Sequence, residues 1–76
     1  MGNEAYKRFR ELLVEARSKA GITQQELASR LKRPQSFVSK YERGERRLDV
    51  VEFGEVARAL EMDPLSFLRR FYREET

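Results

Sequence analysis

Residues 21–44 read GITQQELASRLKRPQSFVSKYERG and hold two helix starts and two helix stops in one short stretch. Thr23-Gln24-Gln25-Glu26 has the form of a capping box, in which a Thr hydroxyl and a Glu carboxylate three residues on each satisfy a backbone N–H left open at a helix start. Ile22 and Leu27 stand at the spacing of a hydrophobic staple. A helix therefore starts at about Gln24 and turns Leu27, Ala28 and Leu31 inward. Pro34 closes it, because the residue before a proline avoids the helical region. The same proline suits the first turn of the next helix, where its missing N–H costs nothing, and Val38 and Tyr41 supply that helix's inward face until Gly44 stops it.

Upstream, Phe9, Leu12, Leu13, Ala16 and Ala20 recur at steps of three and four, so a first helix buries one face and ends at Gly21. Downstream, Asp49-Val50-Val51-Glu52 opens a fourth helix, with Phe53, Val56, Ala57 and Leu60 on its apolar stripe. Asp63-Pro64 repeats the start signal, with the carboxylate as cap and the proline in the first helical position. Leu65, Leu68 and Tyr72 follow at helical spacing, with Phe67 and Phe71 on an adjacent strip. Five helices, short turns and no candidate strand predict an all-α fold, a compact five-helix bundle. A chain of 76 residues has room for one core, so residues 1–76 are expected to form a single domain without a second, ligand-sensing one.

Composition narrows the function. The chain is 39% hydrophobic and 38% charged, apolar enough for a packed globule of modest stability. It has no cysteine and no histidine, which excludes disulfides, thiolate metal sites and the commonest general base. No cofactor, no metal site and no catalysis are expected. No apolar run approaches the length of a membrane span, and a cytoplasmic protein is the expectation. The net charge of +3 is unevenly placed: residues 30–47 carry seven basic and two acidic side chains, whereas residues 48–76 carry four basic and seven acidic ones. A basic pole of this kind suits a nucleic acid, and also an acidic protein or membrane.

The second and third helices meet within about three residues at Lys32, Arg33 and Pro34, too tight for antiparallel packing and suited to the steep crossing of a helix-turn-helix. In that arrangement the third helix projects Gln35, Ser36, Ser39 and Lys40 outward. Glutamine pairs bidentately with the adenine N6 and N7 edge, lysine donates to guanine O6 and N7, and serine accepts either, so this face is suited to double-stranded DNA. Phe37 is expected to lean on the fourth helix as core, the other reading being a contact with a thymine methyl.

From Arg17 to Leu60 the chain resembles the lambda-repressor and Cro-like helix-turn-helix family, also called the xenobiotic-response-element family of regulators. The matching residues are Arg17, Gly21 to Ala28, Leu31, Ser36 to Gly44, Arg47, Ala57 and Leu60, with the motif at about 23–43. The resemblance implies DNA binding as a homodimer on a near-palindromic operator, usually in repression. It implies base-reading or nearby backbone contacts for Gln35, Ser36, Ser39 and Lys40, and phosphate contacts for Gln24, Arg43, Arg46 and Arg47. Arg17 and Glu42 match a structural ion pair that bridges the first helix to the end of the third. Gly54 departs from a common pattern of the family: glycine inside a helix costs about 1 kcal/mol relative to alanine, and a close helix contact would account for it.

Phe67 and Phe71 either widen the core stripe of the fifth helix or mark a dimer interface, and the dimer is favoured. Arg69, Arg70 and Arg73 beside them fit a membrane surface poorly, because acidic residues lie nearby. The alternative function is a protein-binding module, such as the antitoxin of a toxin-antitoxin pair or a transcriptional adaptor, with a partner the sequence does not identify.

Overall fold

The computed structural model describes residues 3–75; residues 1, 2 and 76 of the expected domain span lie outside the described residues. Its elements are α1 (Asn3–Lys19), α2 (Gln24–Leu31), α3 (Gln35–Arg43), α4 (Val50–Ala59) and α5 (Pro64–Glu75), with no strand among the described residues. No helix among them is long and apolar enough to cross a membrane.

Capping chemistry fixes where α2, α4 and α5 begin. The Glu26 N–H donates to Thr23 Oγ1 at 3.0 Å and the Thr23 N–H to Glu26 Oε1 at 2.9 Å, a complete capping box. The same reciprocal pair opens α4: the Glu52 N–H donates to Asp49 Oδ1 at 2.7 Å, and the Asp49 N–H to Glu52 Oε1 at 3.0 Å. At α5, Asp63 accepts from the Leu65 N–H and from the Ser66 hydroxyl.

Helix ends depart from expectation in two places. Helix α2 stops at Leu31 because Lys32 takes the left-handed conformation at φ 59°, and the Arg33 N–H then closes onto Ala28 O at 3.0 Å. Pro34 is thus not what ends α2; it is the extended residue just ahead of α3, next to the first turn it was expected to be near. Ala20, expected on the buried face of α1, lies exposed in the turn that follows it.

Leu13, Leu27, Val38, Tyr41 and Val56 are fully buried and join α1, α2, α3 and α4 in one core. Fixing α5 to them is an aromatic group centred on Phe9, whose ring lies 5.4 Å from Phe53, 5.7 Å from Phe67 and 5.6 Å from Phe71. Edge and tilted contacts at these separations are the favoured aromatic geometry. Phe71, expected at a dimer interface, is therefore buried inside the chain, and Phe67 is half-buried against the core. What α5 exposes is Leu65 and Tyr72, which are 65% and 61% exposed.

Gly54 has no close contact to protect. A Cβ built on it meets nothing within 4 Å, so the helix packing expected to explain it is absent. Gly54→Ala is accordingly expected to stabilise the fold by about 1 kcal/mol, through helix propensity and a less flexible unfolded chain. A urea titration reads this as a higher midpoint at unchanged slope; a lower midpoint would mean that the glycine carries a contact only the assembled protein makes.

Candidate nucleic-acid interface

The brace beneath the interface is a hydrogen-bonded chain of four side chains. Arg17 grips Glu42 with two parallel bonds, Nε to Oε2 at 2.7 Å and Nη2 to Oε1 at 3.0 Å, while its Nη1 donates to Ile22 O at 2.8 Å. The Glu42 side chain is 5% exposed and the Arg17 side chain 15%, so this pair is largely withdrawn from water. The Glu42 hydrogen bonds hold the Arg17 guanidinium above its ordinary pKa. Gln24 Nε2 donates to Glu42 Oε1 at 2.7 Å, and Gln35 Nε2 reaches Gln24 Oε1 at 3.5 Å. The line runs from α1 through the end of α3 to the first residues of α2 and α3. Gln24, expected at a phosphate, is thus half-buried and oriented by the brace.

Helix α3 divides into two faces. Phe37, Val38, Tyr41 and Glu42 are buried, whereas Gln35, Ser36, Lys40 and Arg43 are exposed. Ser39 is half-buried and its hydroxyl donates to Ser36 O at 3.3 Å. The expected row of outward polar groups is present, with Ser39 the least open of the four. Phe37 is core, as its ring meets Tyr41 edge-on at 5.8 Å.

Following α3, the basic residues are placed less uniformly than the sequence suggests. Arg43 pairs with Glu45 through two bonds of 2.9 and 3.0 Å in open solvent. Arg46 commits two nitrogens to Glu52, at 3.0 and 2.7 Å, donates to Arg47 O, and lies 4.7 Å from the centroid of the Phe37 ring. Arg33 stands 4.4 Å from the same ring and 3.7 Å from Glu52. The Glu52 carboxylate is only 12% exposed, and hydrogen bonds from Arg46 and then the Asp49 N–H bring its pKa down to about 2. Arg46, expected as a phosphate clamp, is thus tied to the start of α4 with its side chain 38% exposed. Arg47 is exposed, with its guanidinium 4.4 Å over the Tyr6 ring.

Two residues of α1 serve this loop and carry no signal in the sequence. Tyr6 accepts a 2.7 Å hydrogen bond from the Leu48 N–H, and Arg10 donates to Glu42 O at 2.9 Å, closing the end of α3. They lie 42 and 32 residues from their partners, and helical periodicity in α1 does not report such contacts. Among the described residues no group of His, Cys, Asp and Glu is placed to hold a metal.

Two short helices joined by a tight turn, the second with a buried apolar face and a polar outer one, define a helix-turn-helix DNA-binding protein. The model of a family described as a helix-turn-helix domain matches residues 8–68. Among solved structures, an XRE-family like protein from Pseudomonas syringae pv. tomato is 53% identical, with 97% of this chain and 90% of that one covered and a TM-score of 0.93. A point mutant of the restriction-modification controller protein C.Esp1396I shares the fold at 23% identity, over 97% of this chain and 94% of that one, with a TM-score of 0.86. No curated protein matches the chain. The protein belongs to the XRE-like helix-turn-helix family of DNA-binding transcriptional regulators, which are not enzymes.

Proposed function

We propose that the protein is a repressor-type regulator that binds a near-palindromic operator as a homodimer, placing α3 of each copy in successive major grooves about 34 Å apart. The division of α3 carries this reading, with an inner face locked in the core and Gln35, Ser36 and Lys40 exposed at its outer face. Gln35 pairs with an adenine edge and Lys40 with a guanine edge, while Ser36 and Ser39 contact bases or the adjoining backbone. Gln24 and the open N–H groups at the start of α2 meet one phosphate, and Arg43 and Arg47 meet others. The two copies meet through α5, where Leu65 and Tyr72 provide exposed apolar surface beside half-buried Phe67 and buried Phe71.

Selection of bound sites from random duplex DNA is expected to return two half-sites related by a two-fold axis. A single half-site would remove the dimer. Within a half-site, Gln35→Ala is expected to relax preference at one base position by about 1–3 kcal/mol. Arg47→Ala should weaken all sequences alike and reduce the salt slope by about 1. The reverse pattern would exchange the two roles.

A further inference from the structure

Basic side chains near a DNA-reading helix ordinarily add affinity by displacing counterions from phosphates, whatever the base sequence. Here two of them are paired with acidic side chains of α4 while remaining 36% and 38% exposed. Glu52, on the first turn of α4, faces both Arg46, through two bonds of 3.0 and 2.7 Å, and Arg33, at 3.7 Å. Phe37 adds a second restraint on the same two cations, with guanidinium carbons 4.7 and 4.4 Å from its centroid. The carboxylate is itself fixed, because Glu52 is one half of the α4 capping box. One acidic side chain thus organises two arginines of the basic pole, at a position that lies outside that pole in sequence.

We propose that Glu52 sets the domain's sequence-independent grip on DNA, by holding Arg33 and Arg46 against Phe37 and away from phosphates. This rests on the DNA-binding reading of α3. Removing the charge while keeping the cap would release Arg46 and leave Arg33 with Glu55, 3.9 Å away, as its remaining acidic partner. Glu52→Gln does this, since glutamine at the third helical position still satisfies a capping box. Affinity for every duplex then rises together, base preference is unchanged, and discrimination against bulk DNA in a cell becomes harder because the non-specific background strengthens.

The test titrates the full chain with a fluorescent random-sequence duplex and with a selected site, across a series of salt concentrations. Glu52→Gln is expected to bind both duplexes roughly three- to tenfold more tightly at 0.1 M salt, with a slope steeper by about 0.9 for each arginine that reaches a phosphate. Glu11→Gln, an equal loss of charge on the exposed face of α1, should change neither by more than a small factor. Arg46→Gln should cost little in the parent protein and should abolish most of the gain when added to Glu52→Gln. Equal gains from Glu11→Gln and Glu52→Gln, or unchanged binding by Glu52→Gln with duplex still bound, would overturn the proposal alone. Failure of every variant and of the parent to retain any duplex would overturn the DNA reading and the proposal with it. Should Glu52→Gln not fold, Arg46→Gln in the parent decides: a full unit lost from the salt slope means that Arg46 already meets a phosphate.

Discussion

Replacing Arg17 with alanine is expected to lower the unfolding free energy by about 3–5 kcal/mol, the cost of leaving a buried charge without its partner. The Glu42 carboxylate it abandons is 5% exposed, and Gln24 supplies one neutral hydrogen bond where a bidentate guanidinium stood. A domain of this size has a total stability of roughly 4–11 kcal/mol, so the variant should be partly unfolded at ordinary temperature or have a much reduced urea midpoint. Arg17→Met combined with Glu42→Leu tests the cause. Replacing both partners by apolar groups removes the stranded charge, and stability should return to within about 1–2 kcal/mol of the parent. DNA affinity should not return with it, because Gln24 loses the acceptor that orients it toward Gln35. Recovery of both would mean that the pair acts only through stability; recovery of neither would mean that the pair's other bonds, such as Arg17 to Ile22 O, carry the fold.

What the sequence revealed about this molecule follows the range of each interaction. Capping boxes act over three residues, so Thr23 with Glu26 and Asp49 with Glu52 announce their helix starts directly. Periodicity within a helix likewise places Leu13, Leu27, Val38 and Val56 inward. The left-handed residue that ends α2 is a lysine, not a glycine or asparagine, and nothing in its side chain advertises the conformation. The partners of the basic side chains were hidden for a related reason. Residues 30–47 look strongly basic, yet folding brings Glu52 and Glu55 from α4 against Arg33 and Arg46. Phe67 and Phe71 looked too many for so small a core, until Phe9 gathered them into an aromatic group with Phe53 that uses their surface internally. The outer face of α3 was legible because burial of Val38 and Tyr41 leaves one side of the helix for Gln35, Ser36 and Lys40.

Gly44→Ala is expected to destabilise the protein by about 2–3 kcal/mol, and more than backbone strain alone accounts for. Gly44 closes α3 at φ +84°, a conformation that costs a residue with a Cβ about 1–2 kcal/mol. The second contribution comes from α1. An added Cβ would stand 2.9 Å from Arg10 Nε and 3.0 Å from its Cζ, closer than such atoms pack, so the guanidinium must shift. That guanidinium donates to Glu42 O at 2.9 Å, and displacing it opens a carbonyl at the end of α3, worth about 1 kcal/mol. The two contributions separate in a double-mutant cycle with Arg10→Ala, read by thermal or urea unfolding. Where the arginine is already absent, Gly44→Ala should cost only the backbone part, leaving a coupling of about 1 kcal/mol between the sites. Additive costs would show that Arg10 moves aside without losing its bond, and that the end of α3 is held by its own backbone, through Glu45 N–H to Lys40 O at 2.8 Å.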